Sequence, residues 1–313
     1  MNNESNPISL SKWATARKRI VRHWQLYLII LLPLANLIIF KYIPMIGLQI
    51  GFRNYRVREG LFNSEFVGLY HFMRFFSSPS SLSIIWNTVS ISLYSIAASF
   101  PLAILLAISL NEAKAVRFKK TVQMMTYAPY FISTVVLVSM LNQFFDSRIG
   151  IISIVLNVFG VELKNVMGDP GKFKHLYVWS GVWQQSGYNA IIYLAALSAI
   201  SQELSEAAVV DGCSKIKRIW HVDLPGIRPT IITLLILNMG YVMSVGFEKI
   251  FLLQSPSTLK VSEVISTYVY RIGLMNSDFS YSTAIGFVNS LINLVLILSV
   301  NFAAKRLGEQ GLW

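Results

Sequence analysis

Charged residues are scarce in this sequence. Only 13% of its 313 residues are Asp, Glu, Lys or Arg, whereas a soluble domain carries about 25%. Hydrophobic residues make up 54% of the chain, and the mean hydropathy is +0.54. The composition argues against an ordinary soluble domain and predicts a protein that crosses a membrane several times.

Cysteine and metal-ligand patterns are also nearly absent. The single cysteine, Cys213, excludes an intrachain disulfide and a thiolate cluster. The four histidines lie far apart in the sequence, and none has the i, i+4 spacing of a ligand pair. We therefore expect no metal site and no catalytic residue, which disfavours an integral membrane enzyme.

A nucleotide-binding P-loop is missing as well. The pattern G-x-x-x-x-G-K-[ST] is not present, and the nearest fragment, at 169–173, lacks the hydroxyl residue. We expect no cofactor in this chain, and any ATP hydrolysis must come from another subunit.

Basic residues exceed acidic residues, 27 against 15, and give a net charge of +12. Such an excess attracts nucleic acid when it forms a patch. Here the basic residues lie between long apolar runs, which is typical of topology anchors at membrane surfaces. We predict membrane lipids, and no nucleic acid, as the neighbours of these charges.

Six apolar segments are long enough to cross the hydrocarbon core, which takes about 20 residues. They are 24–46, 84–110, 121–145, 176–200, 229–253 and 283–304. Backbone N–H and C=O groups in lipid must form hydrogen bonds within the protein, because no water is available there. We therefore predict an all-α integral membrane protein with six transmembrane helices. The first segment follows a basic stretch like that of a signal peptide, but it is long, contains Pro33 and lacks a small-x-small cleavage site. We expect it to be retained.

The basic residues also predict the orientation. Fifteen of the 27 lie in the tail 1–23, the linker 111–120, the loop 201–228 and after the last span. By the positive-inside rule these parts and both termini are cytoplasmic, and 47–83, 146–175 and 255–282 face outward. We predict a basic tail at 1–23, either bound to anionic headgroups or a disordered anchor, and a transmembrane domain at 24–313.

The loop between the fourth and fifth segments carries the most specific pattern, EAAVVDGCSKIKRIWHVDLP at 206–225. Good helix formers at 203–208 predict a short helix, and Asp211-Gly212 predicts a turn. A second short helix is expected at 215–220, ending at Leu224-Pro225 because the residue before proline avoids the α region.

This loop resembles the EAA loop of type I ABC importer permeases, whose pattern is EAA, three residues, G, nine residues, then I-x-L-P. The matching residues are Glu206, Ala207, Ala208, Gly212, Leu224 and Pro225, with Val222 in place of the usual Ile. The resemblance implies that the loop couples to an ATP-binding subunit. It implies a heterodimer with a second homologous permease, two ATP-binding subunits that hold ATP and Mg, an extracellular solute-binding lipoprotein, and a place in a bacterial plasma membrane.

Shorter segments are similar to the permeases associated with lipoproteins and polysaccharides in Gram-positive bacteria. These segments are 31–33, 42–45, 66–69, 128–133 and 246–253. The resemblance implies uptake of a complex oligosaccharide.

Polar and aromatic residues within the spans independently suit a sugar pathway, since polar groups at membrane depth usually face a cavity or the bundle interior. The candidates are Trp183, Gln184, Tyr188, Asn189, Asn238, Tyr241, Glu248, Asn289 and Asn293. The alternative is structural, because Asn and Gln also join membrane helices and Trp and Tyr form interfacial belts.

A secondary transporter or channel subunit for small polar solutes is the rival interpretation. Such proteins often contain inverted repeats and broken helices at the binding site. The sequence shows no obvious internal repeat, and this reading leaves the EAA-like loop unexplained.

Overall fold

A computed structural model describes residues 21–162 and 165–306, and these are mostly helical. The helices are α1 (Trp24–Phe52), α2 (Gly60–Asn63), α3 (Tyr70–Phe76), α4 (Ser81–Glu112), α5 (Val116–Phe131), α6 (Thr134–Phe144), α7 (Ile151–Val158), α8 (Pro170–Ser198), α9 (Gln202–Val210), α10 (Lys215–Met239), α11 (Phe247–Leu253), α12 (Leu259–Ser262), α13 (Ile265–Tyr270) and α14 (Phe279–Arg306). Strands β1 (Arg53–Asn54) and β2 (Glu65–Phe66) pair antiparallel, with Arg53 opposite Phe66. Most of the predicted tail 1–23 and the last seven residues of the predicted domain lie outside the described residues.

The long helices support the predicted membrane class but not six continuous spans. Helices α1, α4, α10 and α14 are long and apolar enough to cross a membrane, and α5 with α6 forms a fifth, bent candidate. Helix α8 has 29 residues, about 43 Å at 1.5 Å per residue, so it is long enough. Polar residues such as Gln184, Gln185 and Asn189 make it less apolar than the others.

The predicted span 121–145 is wrong as a continuous helix. Helices α5 and α6 meet at an angle of 100°. Ile132 and Ser133 are extended, and the Ser133 hydroxyl caps α6 by accepting a hydrogen bond from the Val136 amide at 3.3 Å. The Ile132 carbonyl accepts a 2.8 Å hydrogen bond from the Gln184 amide. The mainly apolar composition of the segment concealed this break, although Pro129 and the capping serine mark it.

The predicted span 229–253 is also broken. Helix α10 ends at Met239 and α11 begins at Phe247. Side chains from other helices satisfy the backbone between them: Asn293 donates to the Gly240 carbonyl, and Ser92 donates to the Val242 carbonyl. Irregular backbone at membrane depth is tolerated where protein groups replace its lost hydrogen bonds.

The expected stop at Leu224-Pro225 is wrong as well. Helix α10 runs through both residues, and a π-helical turn, Ile219–Asp223, immediately precedes them. Proline lacks an amide and its ring crowds the preceding turn. The wider π turn accommodates both effects, so the helix continues.

Contacts between helices fix their relative directions. Helices α4 and α8 are parallel, because Ser90 bonds to Lys174 at one end and Phe100 contacts Tyr193 further along. Helix α10 is antiparallel to α8. Near its start, an added Cβ at Gly226 would touch Ile200, which follows the end of α8. Near its end, Asn238 lines a cavity with Asn189, which is earlier in α8. The end of α4, helix α9 and the start of α10 therefore share one end of the bundle, here called the loop end.

Small residues let α4 and α8 approach closely. Ala103, Ala107 and Ala190 are fully buried in one cluster with Leu197 and Ile227. Small side chains are typical of helix contacts in membranes because they permit dense backbone packing. This cluster lies beneath the loop end, and Ile219 and Leu224 from the start of α10 pack against it.

Candidate functional site

Helix α9 presents the start of the EAA-like motif to the surrounding solution. Glu206 and Ala207 are exposed and Ala208 is partly buried. The Glu206 carboxylate accepts a 2.9 Å hydrogen bond from Gln202, one turn earlier. It has no cationic partner among the described residues, so it is available to a partner protein.

Large apolar side chains are exposed on α9 and at the start of α10, on either side of the Gly212 turn. Val210 is 87% exposed, Ile216 70% and Trp220 65%, and Leu204 and Val209 are also more than half exposed. Exposed apolar side chains together with polar groups are typical of a protein interaction site. The loop end therefore has the chemistry of a docking surface.

Gly212 sets the angle between α9 and α10. Its φ is +75°, a left-handed conformation that glycine adopts readily. No atom lies within 4 Å of where a Cβ would stand, so the backbone conformation, and not crowding, favours glycine. The predicted turn at this residue is thus present, between helices close to those expected.

Three charged groups join this loop to α4, and no pattern in the sequence predicts that they meet. Arg218 forms an ion pair with Glu112, the last residue of α4, and both side chains are about one-fifth exposed (21% and 19%). Asp223 is buried beside them and interacts electrostatically with both. The pair ties the start of α10 to the end of α4.

The end of the motif faces inward more than its beginning. Leu224 packs with Ile219 against the buried cluster around Ile227, whereas Pro225 is exposed. The start of α10 is thus joined to the core by the Leu224 packing and to α4 by the Arg218 ion pair.

Two of the predicted pathway residues come together. Asn189 and Asn238 line a cavity of about 70 Å³ with Ser99 from α4. The Asn238 amide donates to its own helix, at 2.7 Å from the Leu234 carbonyl. The cavity therefore has amide and hydroxyl groups, which suit a polar solute.

Other predicted pathway residues make structural contacts. Gln184 is buried and bonds to the helix break at Ile132, and Asn293 bonds to the break at Gly240. Tyr188 stacks on Tyr130 with ring centroids 3.8 Å apart. These contacts are those of the structural alternative, although the Tyr188 ring remains partly exposed.

The remaining predicted residues are dispersed. Tyr241 and Glu248 are exposed, and Asn289 has a buried amide oxygen without a hydrogen-bond partner. Trp183 lines an apolar cavity of about 460 Å³ between α6 and α8. The structure does not gather these four residues into one site with Asn189 and Asn238.

A second polar cavity, of about 140 Å³, is lined by Ser95, Ser99, Gln185 and Lys249. Because Ser99 also lines the cavity of Asn189 and Asn238, the two adjoin. The residues predicted from the sequence include Glu248 and omit its neighbour Lys249. In the structure Glu248 is exposed and Lys249 is buried.

Comparison with known proteins identifies the family. Residues 99–309 match the model of the binding-protein-dependent transport system inner membrane component. The chain is 38% identical over 295 residues to the polygalacturonan/rhamnogalacturonan transport system permease protein YteP of Bacillus subtilis (strain 168), covering 94% of this chain and 92% of that one. It is 35% identical to the protein LplB of the same organism over 302 residues, covering 96% and 94%.

A solved structure has the same fold. A chain in the crystal structure of a bacterial alginate ABC transporter, in complex with an alginate pentasaccharide-bound periplasmic protein, superposes with a TM-score of 0.88 at 36% identity. The match covers 94% of this chain and 99% of that chain. The family model and these relatives agree with the EAA-like motif, the helical membrane fold and a non-enzymatic transport role. The chain belongs to the family of binding-protein-dependent inner membrane components and is a multi-pass permease subunit of an ABC importer.

Proposed function

We propose that this chain forms half of an oligosaccharide pathway and couples to a separate ATP-binding subunit through α9 and the start of α10. The observation that carries the coupling role is the exposed surface around Glu206, held to α4 by the ion pair of Arg218 with Glu112. Coupling needs a rigid element that joins two moving partners. The short, anchored loop meets that requirement.

The proposed partners are a second, homologous permease that completes a heterodimer, two ATP-binding subunits that bind ATP and Mg, and an extracellular binding protein that delivers the solute. The match to a binding-protein-dependent transport family supports the last of these. Helix α1 supports the permease contact, since none of its residues from Trp24 to Leu37 is buried in this chain. Such an apolar helix needs lipid or another membrane subunit beside it.

The proposed orientation has both termini in the cytoplasm. The basic linker after Glu112, the loop with α9 and the end of α14 all lie toward the loop end. Lys305 and Arg306 close α14, in agreement with the positive-inside rule. The hairpin of β1 and β2 lies toward the opposite end and would receive the binding protein.

The cargo is proposed to be a complex oligosaccharide. The relatives are named for polygalacturonan/rhamnogalacturonan transport and for an alginate transporter. The adjoining polar cavities along α4 and α8 offer hydroxyl and amide groups, which bind sugar hydroxyls. These features support a hydroxyl-rich cargo over a lipid.

The coupling proposal is tested in the full importer by Glu206→Lys and Gly212→Pro. The first reverses the exposed charge, and the second is incompatible with a φ of +75° because proline fixes φ near −65°. We expect both to abolish uptake and to release the ATP-binding subunits during purification, with normal membrane insertion.

Glu162→Lys is the matched control, because Glu162 is exposed and lies away from the loop end. It is in the segment between α7 and α8, before the start of α8, whereas the loop follows the end of α8. It should retain both uptake and the ATP-binding subunits. Normal uptake by the Glu206 and Gly212 variants would contradict the assigned coupling surface.

A further inference from the structure

A buried cation in the bundle lacks a carboxylate partner. Lys249 is only 9% exposed, yet no ion pair involves it within residues 21–162 and 165–306. Its ammonium donates a 2.9 Å hydrogen bond to the Tyr177 carbonyl and lies 4.8 Å from the centroid of the Tyr177 ring. Charges at membrane depth are costly and usually mark a substrate or ion site.

The surface of α8 is shaped to receive this ammonium. A Cβ at Gly181 would stand 3.2 Å from Lys249 Nζ, so any larger residue there would press on the charge. An ammonium has three N–H donors, and the Tyr177 carbonyl occupies one. The other donors are available to a ligand in the 140 Å³ cavity that Lys249 lines.

Neutral hydrogen-bonding groups complete the cavity. The Ser95 hydroxyl donates to the Ile91 carbonyl at 2.8 Å, which leaves its oxygen free to accept. Gln185 is exposed at the cavity and offers an amide. Through Ser99 the site continues into the cavity of Asn189 and Asn238.

This arrangement has one positive charge followed by several neutral donors and acceptors. A low-dielectric setting strengthens the attraction of Lys249 for an anion, which would offset the cost of burying the charge. The neighbouring hydroxyl and amide groups match the hydroxyls of a sugar. An acidic sugar has one carboxylate and several hydroxyls on a single ring and so matches both parts.

We propose that Lys249 binds the carboxylate of a uronic acid residue, so that the cargo of this permease is an acidic oligosaccharide. The proposal rests on the proposed function as an oligosaccharide importer. Gly181 positions the ammonium, and Ser99 and Gln185 contact sugar hydroxyls. The other source of a counter-charge, a carboxylate of the second permease, is an outcome of the test.

The test uses the complete importer with its binding protein, reconstituted in liposomes. Uptake of trigalacturonate is compared with uptake of its methyl ester, which keeps the hydroxyls and removes the charge. Lys249→Met should lower trigalacturonate uptake at least about tenfold, the loss expected from one charge-assisted contact of about 1.4 kcal/mol. Lys249→Arg should retain most of it, and ester uptake should stay within about twofold in both variants.

Gly181→Ala provides a second variant that does not remove the lysine. Alanine favours a helix over glycine, so this variant should fold, while its Cβ displaces the ammonium. We expect a smaller, selective loss of trigalacturonate uptake. Lys260→Met is the control, because Lys260 is an exposed lysine on α12 outside the cavity, and it should leave both uptakes unchanged.

The outcomes distinguish the carboxylate site from the proposed function. Uptake of neither saccharide by the unaltered importer would overturn the proposed acidic cargo, whereas the importer role is tested separately by the Glu206 and Gly212 variants. Uptake of the ester alone, or an equal loss of both in Lys249→Met, would overturn the carboxylate site and leave the importer role intact. Loss of the second permease from purified Lys249→Met complexes would assign the counter-charge to that subunit and also overturn the proposal.

Discussion

The ion pair between Glu112 and Arg218 gives the sharpest prediction about how the loop is anchored. Glu112 ends α4, where an anionic side chain opposes the helix dipole. Arg218 offsets this unfavourable position and also faces the buried Asp223. Replacing Arg218 by Met therefore leaves two neighbouring carboxylates without their cation.

The expected cost of Arg218→Met is about 2–3 kcal/mol of unfolding free energy. Removing one partner from a fully buried pair costs about 3–5 kcal/mol, and the side chains here are about one-fifth exposed (21% and 19%). In a chain of this size such a loss lowers the midpoint of thermal unfolding by about 5 °C. It should also uncouple ATP hydrolysis from uptake, because α9 and α10 lose their tie to α4.

The assay is a double-mutant cycle on the purified importer, read by thermal unfolding and by the ratio of solute imported to ATP hydrolysed. Glu112→Gln alone should be milder than Arg218→Met. The double variant should be more stable than the sum of the single losses predicts, with a coupling energy of about 1–2 kcal/mol. Lys217→Met, one residue away and exposed, should change neither readout.

Additive losses in that cycle would show that the two side chains do not interact, and the anchoring role would be refuted. An unchanged ratio of import to hydrolysis in a destabilised Arg218→Met importer would limit the pair to a structural role.

Three further predictions concern packing, protonation and the pathway. Gly187→Ala should destabilise the chain by about 1–3 kcal/mol in thermal unfolding, because its Cβ would lie 2.0 Å from a backbone carbonyl of α5; Gly286→Ala, with nothing within 4 Å, should not. Burial lowers the pKa of His71 below its ordinary value of 6.5. The unfolded state therefore takes up the proton first, and stability should fall as the pH drops below 6.5. His71→Phe should flatten this profile between about pH 5 and pH 7 in the same thermal unfolding assay. Tyr188→Ala should remove the stack on Tyr130 and impair uptake with normal subunit assembly.

Each of these three has an opposing outcome. Equal stability of the two glycine variants would contradict the close approach of α5 and α8. A pH profile unchanged by His71→Phe would assign the acid sensitivity to another group. If Tyr188→Ala prevents assembly and leaves transport by assembled complexes normal, the tyrosine is structural.

Local patterns in the sequence determined the class of protein and its most specific surface. Hydropathy predicts membrane helices because each helix satisfies its own backbone in lipid, a property that needs no knowledge of neighbours. The EAA-like motif of Glu206 to Pro225 is likewise continuous in sequence, and its Gly212 turn follows from glycine's conformational freedom. The predicted positions of α1, α4 and α14 were therefore close to those observed.

Only the tertiary structure decided the helix breaks, the loop anchor and the lone lysine. The break after Met239 is stable because Asn293, 53 residues beyond Gly240, bonds to the freed carbonyl. The anchor joins Glu112 and Arg218 across 106 residues, and Lys249 reaches the Tyr177 carbonyl across 72. Periodicity and motif spacing report on neighbours along the chain. These contacts depend on which helices pack side by side, and that is set by the fold as a whole.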